Sequence, residues 1–166
     1  MKNRAKGRAF SLVELVIVVV IIGVIAAIAV PRISRGARGA GDSSLRGTLS
    51  GIRNAIDMFA AEHGGVFPSG TETNITDQLI KKTDKTGLVG SPPVAGTHIY
   101  GPYLRTAIPT LPIGTNKGSK TLKIVTGTPT GGVGTEGWVY STDTGQFIAN
   151  CADTELDENG SQYNQY

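Results

Sequence analysis

Ala9-Phe10-Ser11-Leu12-Val13-Glu14-Leu15-Val16-Ile17-Val18-Val19-Val20-Ile21-Ile22 is the stretch on which the reading of this 166-residue chain turns. From Leu15 to Pro31 no residue is charged, and Val, Ile, Ala and Leu dominate. Counted from Phe10 to Pro31, a helix rising ~1.5 Å per residue would reach roughly 33 Å, against ~30 Å for the hydrocarbon core of a bilayer. One membrane-spanning helix therefore fits, and no other segment is apolar enough to cross again. Lys2, Arg4, Lys6 and Arg8 precede it with no acid among them. That asymmetry predicts a cytoplasmic N-terminus and an exported remainder.

Two simpler accounts compete for the same residues. A basic segment, an apolar run and Ala27-Ile28-Ala29 together make an acceptable secretory signal with an A-x-A cleavage site. A plain signal anchor, tethering and nothing more, is the other. Neither gives a role to Glu14. A carboxylate in an apolar span costs up to roughly 2.5–3.5 kcal/mol at the helix centre and less near the interface, so its presence implies a partner.

Composition bounds the rest. With 39% hydrophobic and 17% charged residues there is material for one globular domain with a modest core. The 23 glycines point to a loop-rich fold of short elements. Cys151 stands alone, which excludes an intrachain disulfide and argues against a cysteine-based metal site. The formal charge of +3 comes from the basic leader: of 16 basic residues four precede Phe10, so a chain starting there keeps 12 against 13 acidic ones, a side-chain balance of −1. Basic excess is thus no sign of a nucleic-acid partner.

The string from Ala9 to Leu15, behind a short basic leader and ahead of a Val/Ile-rich span that ends in Ala29-Val30-Pro31, resembles the type IV prepilin signature shared by type IV pilins and the pseudopilins of type II secretion. The resemblance implies that a prepilin peptidase cuts between Ala9 and Phe10 on the cytoplasmic face, that Phe10 is then N-methylated, and that Glu14 becomes the fifth residue of the mature chain. Ala9 stands where the family usually has glycine, and Gly7 lies two residues too early for the Phe and Glu spacing. Phe10, Glu14 and Pro31 are the expected assembly residues. Positions i and i+4 share a helix face, so Glu14 can neutralise the new Phe10 amine within its own subunit. In a polymer, as the resemblance implies, the same carboxylate accepts a neighbour's amine and sets the axial register, because an unpaired charge in apolar surroundings is costly.

Beyond the span, Leu45, Leu49, Ile52, Ile56 and Phe59 recur at helical spacing with Arg46, Arg53, Asp57 and Glu62 on other faces, an amphipathic helix that stops at His63-Gly64-Gly65. Pro31, Gly36, Gly39 and Gly41 predict a kink or flexible stretch between the halves. A short helix is expected over Thr76–Lys82, a strand over Thr121–Thr126, and a hairpin from Trp138-Val139-Tyr140 and Phe147-Ile148-Ala149. The expected organisation is a leader at 1–9, a transmembrane and assembly helix at 10–31, its amphipathic continuation at 32–63, and a loop and β head at 64–166. The fold class is α+β, pilin-like, with a long N-terminal helix packed on a small antiparallel sheet. Gly101-Pro102-Tyr103-Leu104 and the hairpin are similar to the region after the long helix in major pseudopilins.

Other chemistry is sparse. Gly114 to Thr121 puts a Lys-Thr pair at P-loop spacing, but Ser119 occupies a required glycine position and the segment leads into a strand. His63 and His98 have no nucleophile in any recognised arrangement, and no enzyme is expected. Arg32, Arg35, Arg38, Arg46 and Arg53 align with the helix, yet they lack the interleaved aromatics that stack bases, and nucleic acid is not an expected partner. In a filament Arg32, Arg35 and Arg38 are expected to face the acidic C-terminal region of another subunit, in a contact that does not close. Asp153, Glu155, Asp157 and Glu158, with Asn159 and Gly160, form an oxygen-rich segment in which calcium is one expectation and a solvated acidic tail the other. Major pseudopilins often carry calcium near the C-terminus, whereas the family's usual Asp-Pro-Trp-Gly-Asn-Pro stretch is replaced here by Thr110-Leu111-Pro112-Ile113-Gly114. The expected partners are copies of the chain, other pilin-like subunits, the prepilin peptidase and an inner-membrane assembly platform. The resemblance implies a single-pass inner-membrane protein with a periplasmic head that later enters a periplasmic or extracellular filament. Type II secretion is the favoured machine, with type IV pilus or competence pseudopilus as the alternatives.

Overall fold

A computed structural model describes residues 10–132 and 134–166. The chain divides into two compact units, Met1–Arg38 and Gly39–Tyr166. Helix α1, Leu12–Glu62, is 51 residues long and contributes to both. In the first unit its Val, Ile and Leu side chains have no protein to bury them: Ile17 and Ile21 are each 52% exposed. Among the described residues α1 is the one helix long and apolar enough to cross a membrane. Helical secondary structure runs unbroken through Pro31, Gly36, Gly39 and Gly41. A proline removes one hydrogen bond, and the turns on either side keep theirs. Gly41 has a packing reason to be glycine, since a Cβ there would come within 2.7 Å of Ile113 Cγ2.

In the second unit the amphipathic stripe buries as its spacing requires. Leu45, Leu49, Ile52, Ile56 and Phe59 are all inaccessible to solvent or nearly so. The helix ends where the glycines begin, with the Gly65 N–H donating to the Ala60 carbonyl at 2.7 Å, the long bond of a Schellman cap. His63 lies just past this end, stacked on Phe59 at 3.9 Å between ring centroids. It is buried, with its ring nitrogens 2.7 Å from the Phe59 carbonyl and 2.9 Å from that of Asp84. It therefore ties the helix end to the following loop.

Helix α2 spans Glu72–Ile80 and begins four residues before the expected start at Thr76. Thr71 and Asn74 form a reciprocal cap: the Thr71 hydroxyl accepts from the Asn74 N–H and the Asn74 side chain accepts from the Thr71 N–H. Asn stands at the position where Glu or Gln signals such a box. The helix also stops at Ile80, because Lys81 is extended.

Three strands complete the second unit: β1 Leu122–Val125, β2 Trp138–Ser141 and β3 Phe147–Ala149, in the order β1-β2-β3. The expected hairpin is present, β2 and β3 pairing antiparallel with Trp138 opposite Ala149. The expected all-antiparallel sheet is corrected, because β1 runs parallel to β2 with Leu122 opposite Trp138. The physical reason is the connection 126–137, which has about the dozen residues that a parallel crossover needs and is too long for a tight turn. The sheet is mixed and the fold is α+β with a long N-terminal helix.

Every side chain of β2 is buried. Trp138, Tyr140 and Phe147 join the stripe of α1 and Ile75 and Leu79 of α2 in one core. The polar ends of the large aromatics are satisfied: Trp138 Nε1 donates to the Pro109 carbonyl at 2.8 Å and the Tyr140 hydroxyl to that of Pro68 at 2.9 Å.

Candidate processing and assembly site

Ala9 and the leader cations Lys2, Arg4, Lys6 and Arg8 lie outside the described residues. Phe10 and Ser11 are non-helical, and α1 starts at Leu12. Phe10 is 82% exposed. The first turn is closed by a variant of the capping box in which the hydroxyl takes the N–H of the second helical residue rather than the third: the Val13 N–H donates to Ser11 Oγ at 3.3 Å, and the Ser11 N–H donates to Glu14 Oε2 at 2.9 Å. The Leu15 N–H donates to the Ser11 carbonyl at 3.1 Å, the first helical bond. Glu14 thus has a partner at the mouth of the apolar helix, and it is backbone. The carboxylate also sits near the positive end of the helix dipole, which favours its charge. The signal for this box, Ser-x-x-Glu ahead of an apolar run, is plain in the sequence. Sequence reasoning assigned Glu14 to the Phe10 amine alone and missed Ser11.

Residues 4–30 match a known family, the prokaryotic N-terminal methylation motif. This chain carries the prepilin-type signature. No curated protein and no solved structure matches it. The matched segment contains Ala9, Phe10, Ser11 and Glu14, the residues around the capped helix start. The motif and the apolar helix fit a membrane-anchored, pilin-like protein, with processing by a prepilin peptidase and assembly into pilin-like filaments implied by the signature. The family signature points to a structural protein.

The acidic segment of the chain is held by protein donors. Glu155 accepts from the Ala152 N–H at 2.8 Å, the Thr115 N–H at 2.6 Å and the Thr115 hydroxyl at 2.9 Å. Burial opposes its charge, but the bonds from Ala152 and Thr115 outweigh that and hold its carboxyl below the usual range. Asp157 accepts from the Tyr166 hydroxyl at 2.6 Å, the Ser161 N–H at 2.7 Å and the Asn159 N–H at 2.8 Å, and Arg46 lies 3.3 Å away. The Tyr166 bond first, then that of Ser161, lowers its carboxyl against the cost of burial. Asp153 takes the Asn164 side-chain amide at 2.7 Å, and Glu158 is exposed. Among the described residues no three His, Cys, Asp or Glu side chains are grouped to hold a metal ion. Cys151 is buried, and burial first, with Glu155 beside it, pushes its thiol up to about 12.

The basic row is divided. The Arg46 guanidinium lies over the Tyr166 ring at 3.9 Å as well as against Asp157. Arg53 Nε donates to the Phe147 carbonyl at 3.0 Å, and its Nη2 donates to the carbonyl of Tyr166. Asp42 accepts from the Tyr163 hydroxyl at 2.8 Å. Asp157, in the acidic C-terminal region, is paired with Arg46 within its own head. Arg32 and Arg38 are exposed. Tyr163 opens a one-turn 3-10 helix, Tyr163–Gln165, and Tyr166 caps its end; this pair of tyrosines is the one signal in the sequence from which the docking could be read.

Proposed function

We propose that the chain is a subunit of a type II secretion pseudopilus, a filament that grows from the inner membrane and supports protein export. The observation that carries the filament reading is a carboxylate held at the mouth of an exposed apolar helix, four residues after Phe10, inside a matched methylation motif. Cleavage before Phe10 would turn its peptide nitrogen into an ammonium group, and Glu14 is the charge that can receive it. The neighbour's amine is the partner that a polymer supplies. The secretion reading is supported by the small head, by Gly101-Pro102-Tyr103-Leu104 and by a single cysteine where many pilins carry a pair. In this reading the N-terminus is cytoplasmic, the head periplasmic, and the partners are copies of the chain, related subunits and an assembly platform.

One mass tests the processing step. A prepilin gives a mature chain beginning at a methylated Phe10, a secretory protein one beginning at Val30, and an anchor the full chain. Glu14→Ala and Glu14→Gln should insert and be processed yet yield few filaments, since the neighbour's amine has lost its partner. An intact Glu14→Gln filament, or a native N-terminus at Val30, would overturn the proposal. Deleting the gene discriminates the machines: lost export with pili intact supports secretion, whereas lost piliation or DNA uptake supports the type IV pilus or competence alternative.

A further inference from the structure

The filament reading gives Glu14 one task, receiving an amine, but the structure shows the same carboxylate engaged by the backbone of Ser11. Its Oε2 accepts the Ser11 N–H at 2.9 Å, while Ser11 Oγ accepts the Val13 N–H at 3.3 Å. Neither bond uses the Phe10 nitrogen, so neither depends on whether the leader is attached. A carboxylate offers about four acceptor sites on two oxygens, so one N–H leaves it able to take an ammonium group as well. Without the cap the first turn frays, and a glutamate on a frayed turn samples several rotamers at the point where register is decided.

We propose that Ser11 is a positioning residue for assembly: its hydroxyl fixes the first turn of α1, and that turn holds the Glu14 carboxylate at the helix mouth where a neighbouring subunit's Phe10 amine can reach it. The inference rests on the filament reading. The Phe10 amine of the same subunit lies one residue, ~3.8 Å of chain, beyond the Ser11 N–H. The capped carboxylate is therefore held within the reach of an amine from either subunit. Ser11 touches no partner itself and acts through Glu14.

The test uses the full chain in cells carrying its peptidase and assembly machinery, with three readouts: membrane insertion, the mass of the mature N-terminus, and the yield of sheared filaments. Ser11→Val and Ser11→Thr have nearly the same shape, and only threonine retains the capping oxygen. Both are expected to insert and to be processed to Phe10. Ser11→Val should lose about fivefold in filament yield, the population change that a cap of ordinary strength supports, and Ser11→Thr should restore it. Glu14→Gln preserves the box, since glutamine also serves at that position, but removes the charge, and should not assemble. Equal yields from Ser11→Val and Ser11→Thr at normal processing would overturn the positioning role while leaving the filament reading intact. Assembly by Glu14→Gln would overturn the reading beneath it. A block in processing of Ser11→Val alone would place Ser11 at the peptidase step and overturn its role in assembly.

Discussion

Asp157 shows at the scale of one residue how a carboxylate that looked like a free surface charge becomes part of a fold. It draws bonds from Tyr166, Ser161, Asn159 and Arg46, and these hold it ionised below its ordinary range; Glu155 is lowered in the same sense. A carboxylate whose folded value is depressed contributes stability that is complete above its unfolded value, about 3.9 for Asp and 4.3 for Glu. That contribution is lost as pH falls through the folded value. The head should therefore lose stability below about pH 4, and Asp157→Asn should be destabilised at pH 7 but show a shallower acid limb; parallel denaturation curves from pH 7 to pH 3 check this. Equal slopes for the two chains would count against it. Phe59 is a second case. It lies between His63 and the core with 1% exposure, and Phe59→Ala should cost about 3–5 kcal/mol by urea denaturation. Positions like Phe59 were legible in the sequence because a helical period marks them. Asp157 was not, since its partners Arg46 and Tyr166 lie 111 and 9 residues away and no local spacing links them.

At the scale of elements, legibility followed how local the deciding interactions are. The stripe from Leu45 to Phe59 and the β2–β3 hairpin each carry their own periodicity and turn, and both stand where expected. The start of α2 did not, because Thr71 and Asn74 make their box with an asparagine. Thr71→Ala should cost roughly 1 kcal/mol, read as a lower midpoint of denaturation with an unchanged slope. The direction of β1 was also beyond local reading. Nothing in Leu122–Val125 says which way it pairs, and the answer lies in the connection 126–137 that precedes Trp138. The capping box at Ser11 and Glu14 was the reverse case: its motif was in plain view, and the stronger claim of the Phe10 amine on Glu14 hid it.

For the molecule as a whole, the division at Arg38 and Gly39 sets what each unit requires. The first is an apolar helix whose described side chains find no protein cover, and the second is a core that includes the remaining turns of that same helix. The carboxylates Asp153, Glu155 and Asp157 are occupied by protein donors, so excess chelator or millimolar calcium should leave the melting temperature of the Gly39–Tyr166 unit unchanged; a rise of several degrees with calcium would show that the acidic segment rearranges into a site. A further consequence concerns order in time. The helical stripe is made early, while its cover is made late: Arg53 is bonded to Phe147, 94 residues further along. At ~5–20 residues per second of synthesis, that interval lasts roughly 5–20 s. Throughout it the nascent polypeptide carries Leu45 to Phe59 bare to its surroundings, a liability that a chaperone or a lipid surface could shelter. The head can close only once β2, β3, Tyr163 and Tyr166 have been translated, so birth order makes residues synthesised late the ones that give the earlier helical stripe its cover.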